Sequence, residues 1–229
     1  MKVNDRYCSF YYELDDDYCD IEVDRDRTAL LIVDMQHHFL TRPKLGDNAS
    51  EREKAYYAKW GYFYDRIEKE VVPNNQKLLA AFRERNMFVS HARITGQLES
   101  GRERSLDQKA TGYNELLLLP GMPSAEIVEP LKPARNELVV MKTTDSALTG
   151  TSLRLMLHNC GIDTVVVTGV LTDQCVSGTV RSLADESFKV WLIEDACAAS
   201  TKEIQEHELS VLNNIYCHVV NTEELIGAL

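Results

Sequence analysis

The chain lacks any run of about 18 apolar residues, so no membrane-spanning helix is expected. Its N-terminal stretch, MKVNDRYCSFYYELDDDYCDIEVDRDR, has no apolar segment of the kind a secretory signal needs. Basic residues are in deficit: 25 Lys and Arg stand against 36 Asp and Glu, a formal net charge of −11. That balance disfavours nucleic acid and anionic membranes as partners, because both are polyanions. Cysteines are present at Cys8, Cys19, Cys160, Cys175, Cys197 and Cys217, but no two form a CxxC pair. Neither a zinc site nor a disulfide framework is therefore indicated, and a reduced, cytoplasmic protein is expected.

Internal repeats, low-complexity tracts and linkers are also missing. A chain of 229 residues with 44% hydrophobic content can bury one good core. The expected organisation is one domain over residues 27–229, preceded by an acidic, aromatic arm of residues 1–26. Tyr7, Phe10, Tyr11, Tyr12 and Tyr18 suit an arm anchored on the domain or on a neighbouring subunit; a loosely packed tail fits equally well.

Apolar runs of strand length recur at residues 28–33 (TALLIV), 87–91, 138–141, 165–167, 189–193 and 217–220. Helical periodicity falls between them. After residue 65, Ile67, Val71, Leu78 and Phe82 share a face, with Pro73 marking a break or restart. Ser124 reads as the cap of a short helix over residues 124–131. Gly150 and Thr151 open a helix with Leu153, Met156, Leu157 and Cys160 on one side, and Gly161 is a suitable stop. Residues 40–64 read as polar and irregular, covering the edge of a site; residues 96–112 read as a charged loop. Strands alternating with helices predict a three-layer α/β fold. Its core is a doubly wound six-stranded parallel sheet of order 3-2-1-4-5-6, with helices on both faces and right-handed crossovers.

Residues 164–185, TVVVTGVLTDQCVSGTVRSLAD, read as strand, tight turn, cysteine and helix. Val176, Val180, Leu183 and Ala184 make the helix face. A cysteine where a helix begins meets free backbone N–H groups and the positive dipole end, which favour the thiolate. The same amides can hold an oxyanion once that thiolate attacks a carbonyl. A buried cysteine in a strand–helix turn is the plainer reading. Asp34 and Lys142 also follow strands, and ligands of open α/β sheets bind at the carboxyl ends of strands. In the order given above, Asp34 and Cys175 fall on neighbouring strand ends, and Lys142 must reach inward from two strands away. Such a trio gives a nucleophile, a proton acceptor and a charge that stabilises both.

On the segments TALLIVDMQ, VVMKTTDSALTGTSL, VVVTGVLTDQCVSGTVRSLAD and IEDACAAS, the chain resembles the isochorismatase-like cysteine hydrolase superfamily. The likeness runs from about residue 27 to residue 229. It implies an Asp-Lys-Cys catalytic triad, here Asp34, Lys142 and Cys175. It further implies a cis peptide before Leu171 and an oxyanion hole made by the backbone N–H groups of Leu171 and Cys175. Nicotinamidases of this superfamily bind a metal through an Asp-x-His motif with a further His after the second strand. The corresponding HARITGQLESGRER lacks that pattern, so no metal or other cofactor is expected, and His37, His38 and His91 read as structural or surface residues. The vinyl-ether-cleaving isochorismatases typically carry glycine where Cys175 stands, which points away from them. The resemblance then implies the amidase branch, which includes N-carbamoylsarcosine, ureidoacrylate, biuret and maleamate hydrolases. The expected function is cysteine-dependent hydrolysis of a C–N bond in a small amide or ureide, in a homo-oligomer. The competing readings are a vinyl-ether hydrolase and a catalytically idle, oligomeric binding subunit. Phe39 is a candidate pocket wall. Arg93 is a candidate partner for a substrate carboxylate, with an intramolecular ion pair as its alternative.

Overall fold

The computed structural model describes residues 6–12, 14 and 22–229. The strands are β1 (Thr28–Val33), β2 (Phe88–Ile94), β3 (Leu138–Lys142), β4 (Thr164–Val170), β5 (Lys189–Ala198) and β6 (His218–Val220). They form one sheet in the order β3-β2-β1-β4-β5-β6, every neighbouring pair parallel. The helical segments are α1 (His37–Leu40), α2 (Glu51–Ala58), α3 (Gly61–Arg66), α4 (Val72–Glu84), α5 (Leu106–Lys109), α6 (Leu153–Asn159), α7 (Ser177–Asp185), α8 (Lys202–Leu212) and α9 (Thr222–Ala228).

The continuous apolar runs of β1 and β4 follow from burial on both faces. Successive strand residues point to opposite sides of a sheet. Ala29, Leu31 and Val33 accordingly join Val165 and Val167 against Leu153 and Leu157 of α6, Val180 and Leu183 of α7, and Leu209 and Leu212 of α8. Leu30, Ile32 and Val166 face the other way, onto Phe63 of α3, Leu78, Leu79 and Phe82 of α4, and Leu225 of α9. Each such side chain, once fully buried, contributes about 1.5–3 kcal/mol. The result is the expected three-layer arrangement.

Two local readings are corrected. Residues 51–58 and 61–66 are helical, not irregular; a capping box in which Ser50 and Glu53 bond reciprocally starts α2. Ser124 caps no helix: residues 123–125 and 129–131 are separate 3₁₀ turns, because Pro123 and Pro130 remove the N–H groups a longer helix needs. Pro73 marks a restart, as expected. It sits in the first turn of α4, where a missing N–H is harmless, directly after a π-helical turn, Ile67–Val71. In α6, Leu153 and Leu157 are buried as expected, while Met156 and Cys160 reach the surface. The described part of the arm docks on its own chain: the Tyr7 hydroxyl donates to Glu194 at 2.6 Å, and Asn213 donates to the Arg6 carbonyl at 3.0 Å. Tyr18 lies outside the described residues.

Gly169 decides how closely β1 and β4 approach at their carboxyl ends. Its φ is +118°, and a Cβ placed there would lie 2.0 Å from the Val33 carbonyl oxygen. The pairing of β4 with β5 also shifts register between Val167 and Gly169. Gly169→Ala is therefore expected to cost about 3 kcal/mol or more, through both the clash and the strained φ. A denaturant midpoint equal to that of the parent protein would contradict this packing.

Candidate active site

Asp34 is the first residue beyond β1. Its φ is +52°, a left-handed conformation that non-glycine residues rarely adopt and that is held only where surrounding bonds over-determine it. Those bonds are present. The Asp34 N–H donates to the Ala92 carbonyl at 2.9 Å, and Asp34 Oδ1 accepts from the Ile94 N–H at 2.9 Å. Gln36, fully buried, finishes the clamp. Its Oε1 accepts from the same Ile94 N–H at 2.9 Å, while its Nε2 donates to the carbonyls of Ile94 and Ala125 at 2.9 and 2.8 Å. The carboxylate is thus aimed by the end of β2.

Lys142, the last residue of β3, is fully buried and its ammonium reaches back across β2. Nζ lies 2.7 Å from Asp34 Oδ2 and 3.2 Å from Cys175 Sγ, and donates to the Thr144 carbonyl at 3.1 Å. The structure thus brings Asp34, Lys142 and Cys175 together from three strands.

Cys175 does not open an α-helix. It stands inside a π-helical turn, Thr172–Val176, and α7 starts after it, at Ser177. The Val170–Leu171 peptide bond that leads into this turn is cis. Nor is the thiol favoured as a thiolate, contrary to the expectation from the helix terminus. Burial, then the negative charge of Asp34, push the Cys175 thiol well above its ordinary value, against the pull of Lys142. Burial likewise raises Asp34, although Lys142 opposes it, which makes the carboxylate a stronger proton acceptor. Burial alone would lower Lys142, but Asp34 and Cys175 outweigh it and the ammonium keeps its proton. The resting site is a protonated thiol beside a buried ion pair.

Cys175 opens onto a cleft of about 640 Å³. Phe39 lines it, as the sequence suggested, together with Trp60, Tyr64, Tyr113 and residues on both sides of Cys175. Arg93 does not reach it. Its guanidinium pairs with Glu126 at 2.8 Å in a separate groove shared with His37 and Thr41. Asp145 and Gln108 are among the cleft residues that escaped the sequence reading. Asp145 Oδ1 lies 3.7 Å from Cys175 Sγ, and Gln108 is almost wholly buried on the wall. Of the histidines, His91 is buried with Nε2 3.3 Å from Glu137 Oε2, His37 is exposed, and His38 sits at the cleft rim. Among the described residues no three His, Cys, Asp or Glu side chains are grouped to hold a metal ion.

The isochorismatase domain model matches residues 28–224. The chain belongs to the isochorismatase family. An isochorismatase family protein of Bacillus subtilis, YddQ, is 26% identical over 209 residues, covering 87% of this chain and 98% of that one. The maleamate amidohydrolase of Pseudomonas putida is 27% identical over 112 residues, covering 49% of this chain and 53% of that enzyme. Among solved structures, a cysteine hydrolase of Pseudomonas syringae superposes with a TM-score of 0.74 at 24% identity, over 91% of this chain and 95% of that one. That last likeness concerns the fold.

The thiol environment can be read by alkylation. Because only the thiolate reacts, the rate at Cys175 should rise about tenfold per pH unit through the neutral and mildly alkaline range without levelling off. A free cysteine peptide levels off near about 8.5. Removing the cation in Lys142→Met should move the Cys175 curve further up in pH; Asp34→Asn should lower it or leave it, because a negative neighbour is gone. Mass spectrometry of the Cys175 peptide after timed iodoacetamide labelling gives both curves. An unchanged curve in Lys142→Met would show that the ammonium does not tune the thiol.

Proposed function

We propose that this protein is a cysteine amidohydrolase acting on a small carboxamide or ureide. The observation that carries the reading is the contact of one buried ammonium with both the Asp34 carboxylate and the Cys175 sulfur, at the floor of an open cleft. In the reaction, Cys175 Sγ attacks the substrate carbonyl as its proton passes to Asp34. The backbone N–H groups of Leu171 and Cys175 receive the developing oxyanion. The intermediate collapses, the C–N bond breaks, and Asp34 returns the proton to the leaving nitrogen. A thioester, or thiocarbamate from a ureide, remains on Cys175. Water, deprotonated by Asp34, then attacks that carbonyl, and the sulfur leaves to be reprotonated. Lys142 keeps Asp34 ionised before attack and offsets the charge on sulfur during it. A protonated resting thiol suits this scheme, since base and nucleophile are already adjacent. A vinyl-ether hydrolase has no such use for a thiol at the cleft floor.

Release of ammonia or amine from a panel of small amides and ureides tests the reading. Cys175→Ala and Cys175→Ser should abolish turnover with the fold intact by circular dichroism, and Asp34→Asn should lose roughly 10²–10⁴-fold in kcat. More than a few per cent of parental activity in Cys175→Ala would sink the covalent mechanism. An idle binding subunit would release nothing from any amide.

Two further parts of the reading are open to measurement. Activity should survive exhaustive EDTA treatment, and loss restored by one metal would overturn the metal-free scheme. We also propose a homo-oligomer. Light scattering at micromolar concentration should give a multiple of 26.0 kDa, and the single-chain mass would refute it.

A further inference from the structure

The charge of the cleft is lopsided. Asp107, Asp145 and Asp173 line it, and among the described residues none of them takes part in an ion pair. The one formal cation among the described lining residues is Arg181, and it is already held: its guanidinium lies 3.2 Å from Glu208 and 4.5 Å from the Tyr216 ring centre. Lys142 lies behind the cysteine and is matched by Asp34. His38 at the rim is held below its ordinary value by partial burial, so it brings no positive charge at neutral pH. Arg93, the residue best suited to grip a carboxylate, is in another groove.

Two further features of the cleft bear on what it could hold. Gln108 is 2% exposed, and neither its amide nitrogen nor its amide oxygen has a hydrogen-bond partner, although both are buried on the cleft wall. A buried amide left without partners is costly, and a polar ligand relieves that cost. The cleft also has an aromatic wall, with Tyr113 stacked on Trp60 at 5.8 Å between ring centres and 21° between planes. Ring faces carry negative potential and attract cations. Asp173 is close enough to this wall that, after partial burial, its charge helps hold the Tyr113 hydroxyl up to about 12. One oxygen of Asp173 is buried and unpaired.

We propose that the cleft takes a small amide whose remaining part is cationic, an ammonium or quaternary ammonium group set against the Trp60–Tyr113 wall, Asp145 and Asp173. This rests on the reading of Cys175 as nucleophile, because Asp145 touches the sulfur and so fixes which end of the cleft the reacting carbonyl occupies. A substrate carboxylate would lie among carboxylates with no unpaired cation among the described lining residues to meet it.

The test uses three methanethiosulfonates of similar size on the native protein. They are the trimethylammonioethyl cation, the sulfonatoethyl anion and the neutral methyl reagent. Mass spectrometry gives the rates at Cys175 and, in the same sample, at exposed Cys160. Cys160 experiences the overall charge of −11 but not the cleft, so the comparison isolates the cleft field. The cation-to-anion rate ratio at Cys175 should exceed that at Cys160 by about tenfold at low ionic strength, and shrink with added salt. Asp145→Asn combined with Asp173→Asn should bring it down to the Cys160 ratio. Equal ratios at the two cysteines in the parent protein, or faster reaction of the anion at Cys175, would overturn the proposal. So would a failure of all three reagents to reach Cys175. A parallel assay of glycinamide, propionamide and succinamate separates the two readings. Ammonia released fastest from succinamate would refute the cationic class while leaving the amidohydrolase intact. Ammonia from none of them, with cation selectivity at the thiol preserved, would count against the amidohydrolase and leave the cation-selective cleft standing.

Discussion

The structure depends on a single buried ammonium. Lys142 has no exposure to water, and an isolated charge in that position would be far too costly to keep. It persists because three oxygen or sulfur partners surround it: Asp34 Oδ2, the Thr144 carbonyl and Cys175 Sγ. Breaking such a pair by removing one partner typically costs 3–5 kcal/mol, since the survivor is left uncompensated. The ion pair therefore ties the carboxyl ends of β3 and β1 to the turn after β4. The contacts proposed to serve catalysis are here the same contacts that hold the strand ends together.

That arrangement sets demands on the backbone around it. Asp34 must turn sharply out of β1 to meet the lysine, which forces its positive φ, and Gln36 holds the turn by bonding across to β2 and to Ala125. Cys175 must come near the same point from β4, and Gly169 permits the approach by having no Cβ to strike Val33. Tight packing at these strand ends leaves the sulfur dry. Dryness in turn accounts for the raised thiol, and the turn geometry favourable to a thiolate is outweighed.

Much of this was legible because β-strands of a parallel sheet announce themselves. TALLIV and TVVVTGV read as strands buried on both faces, and residues just beyond such runs are committed to the carboxyl edge of the sheet. Asp34, Lys142 and Cys175 could be found by that logic alone, and the family motifs agree with it. The cleft wall was harder to read. Helix α2 buries no residue and α3 only Phe63, and both are crowded with tyrosines, so periodicity failed, although Ser50 and Glu53 carried a capping signal that could have been used. Arg93 alternates with buried neighbours along β2, and which side of the strand faces the cleft depended on register with β3, which sequence does not print. Asp145 and Gln108 lie in loops, where no period assigns a direction to a side chain.

On the proposed role of Cys175 as nucleophile, an acidic cleft looks self-defeating, because Asp34 and Asp145 both disfavour the thiolate. The difficulty disappears if the thiol is meant to stay protonated until a substrate arrives. A resting thiolate facing the cleft would be open to any oxidant or alkylator that entered it, whereas a neutral thiol is far less reactive. A cation entering the cleft would then offset the carboxylate charge, exclude water and strengthen the pull of Lys142 on sulfur in the same event. On the proposed substrate class, binding itself would lower the cost of moving the proton from Sγ to Asp34. An anionic amide of the same size would raise that cost, so the same carboxylates would discriminate at the chemical step as well as at binding.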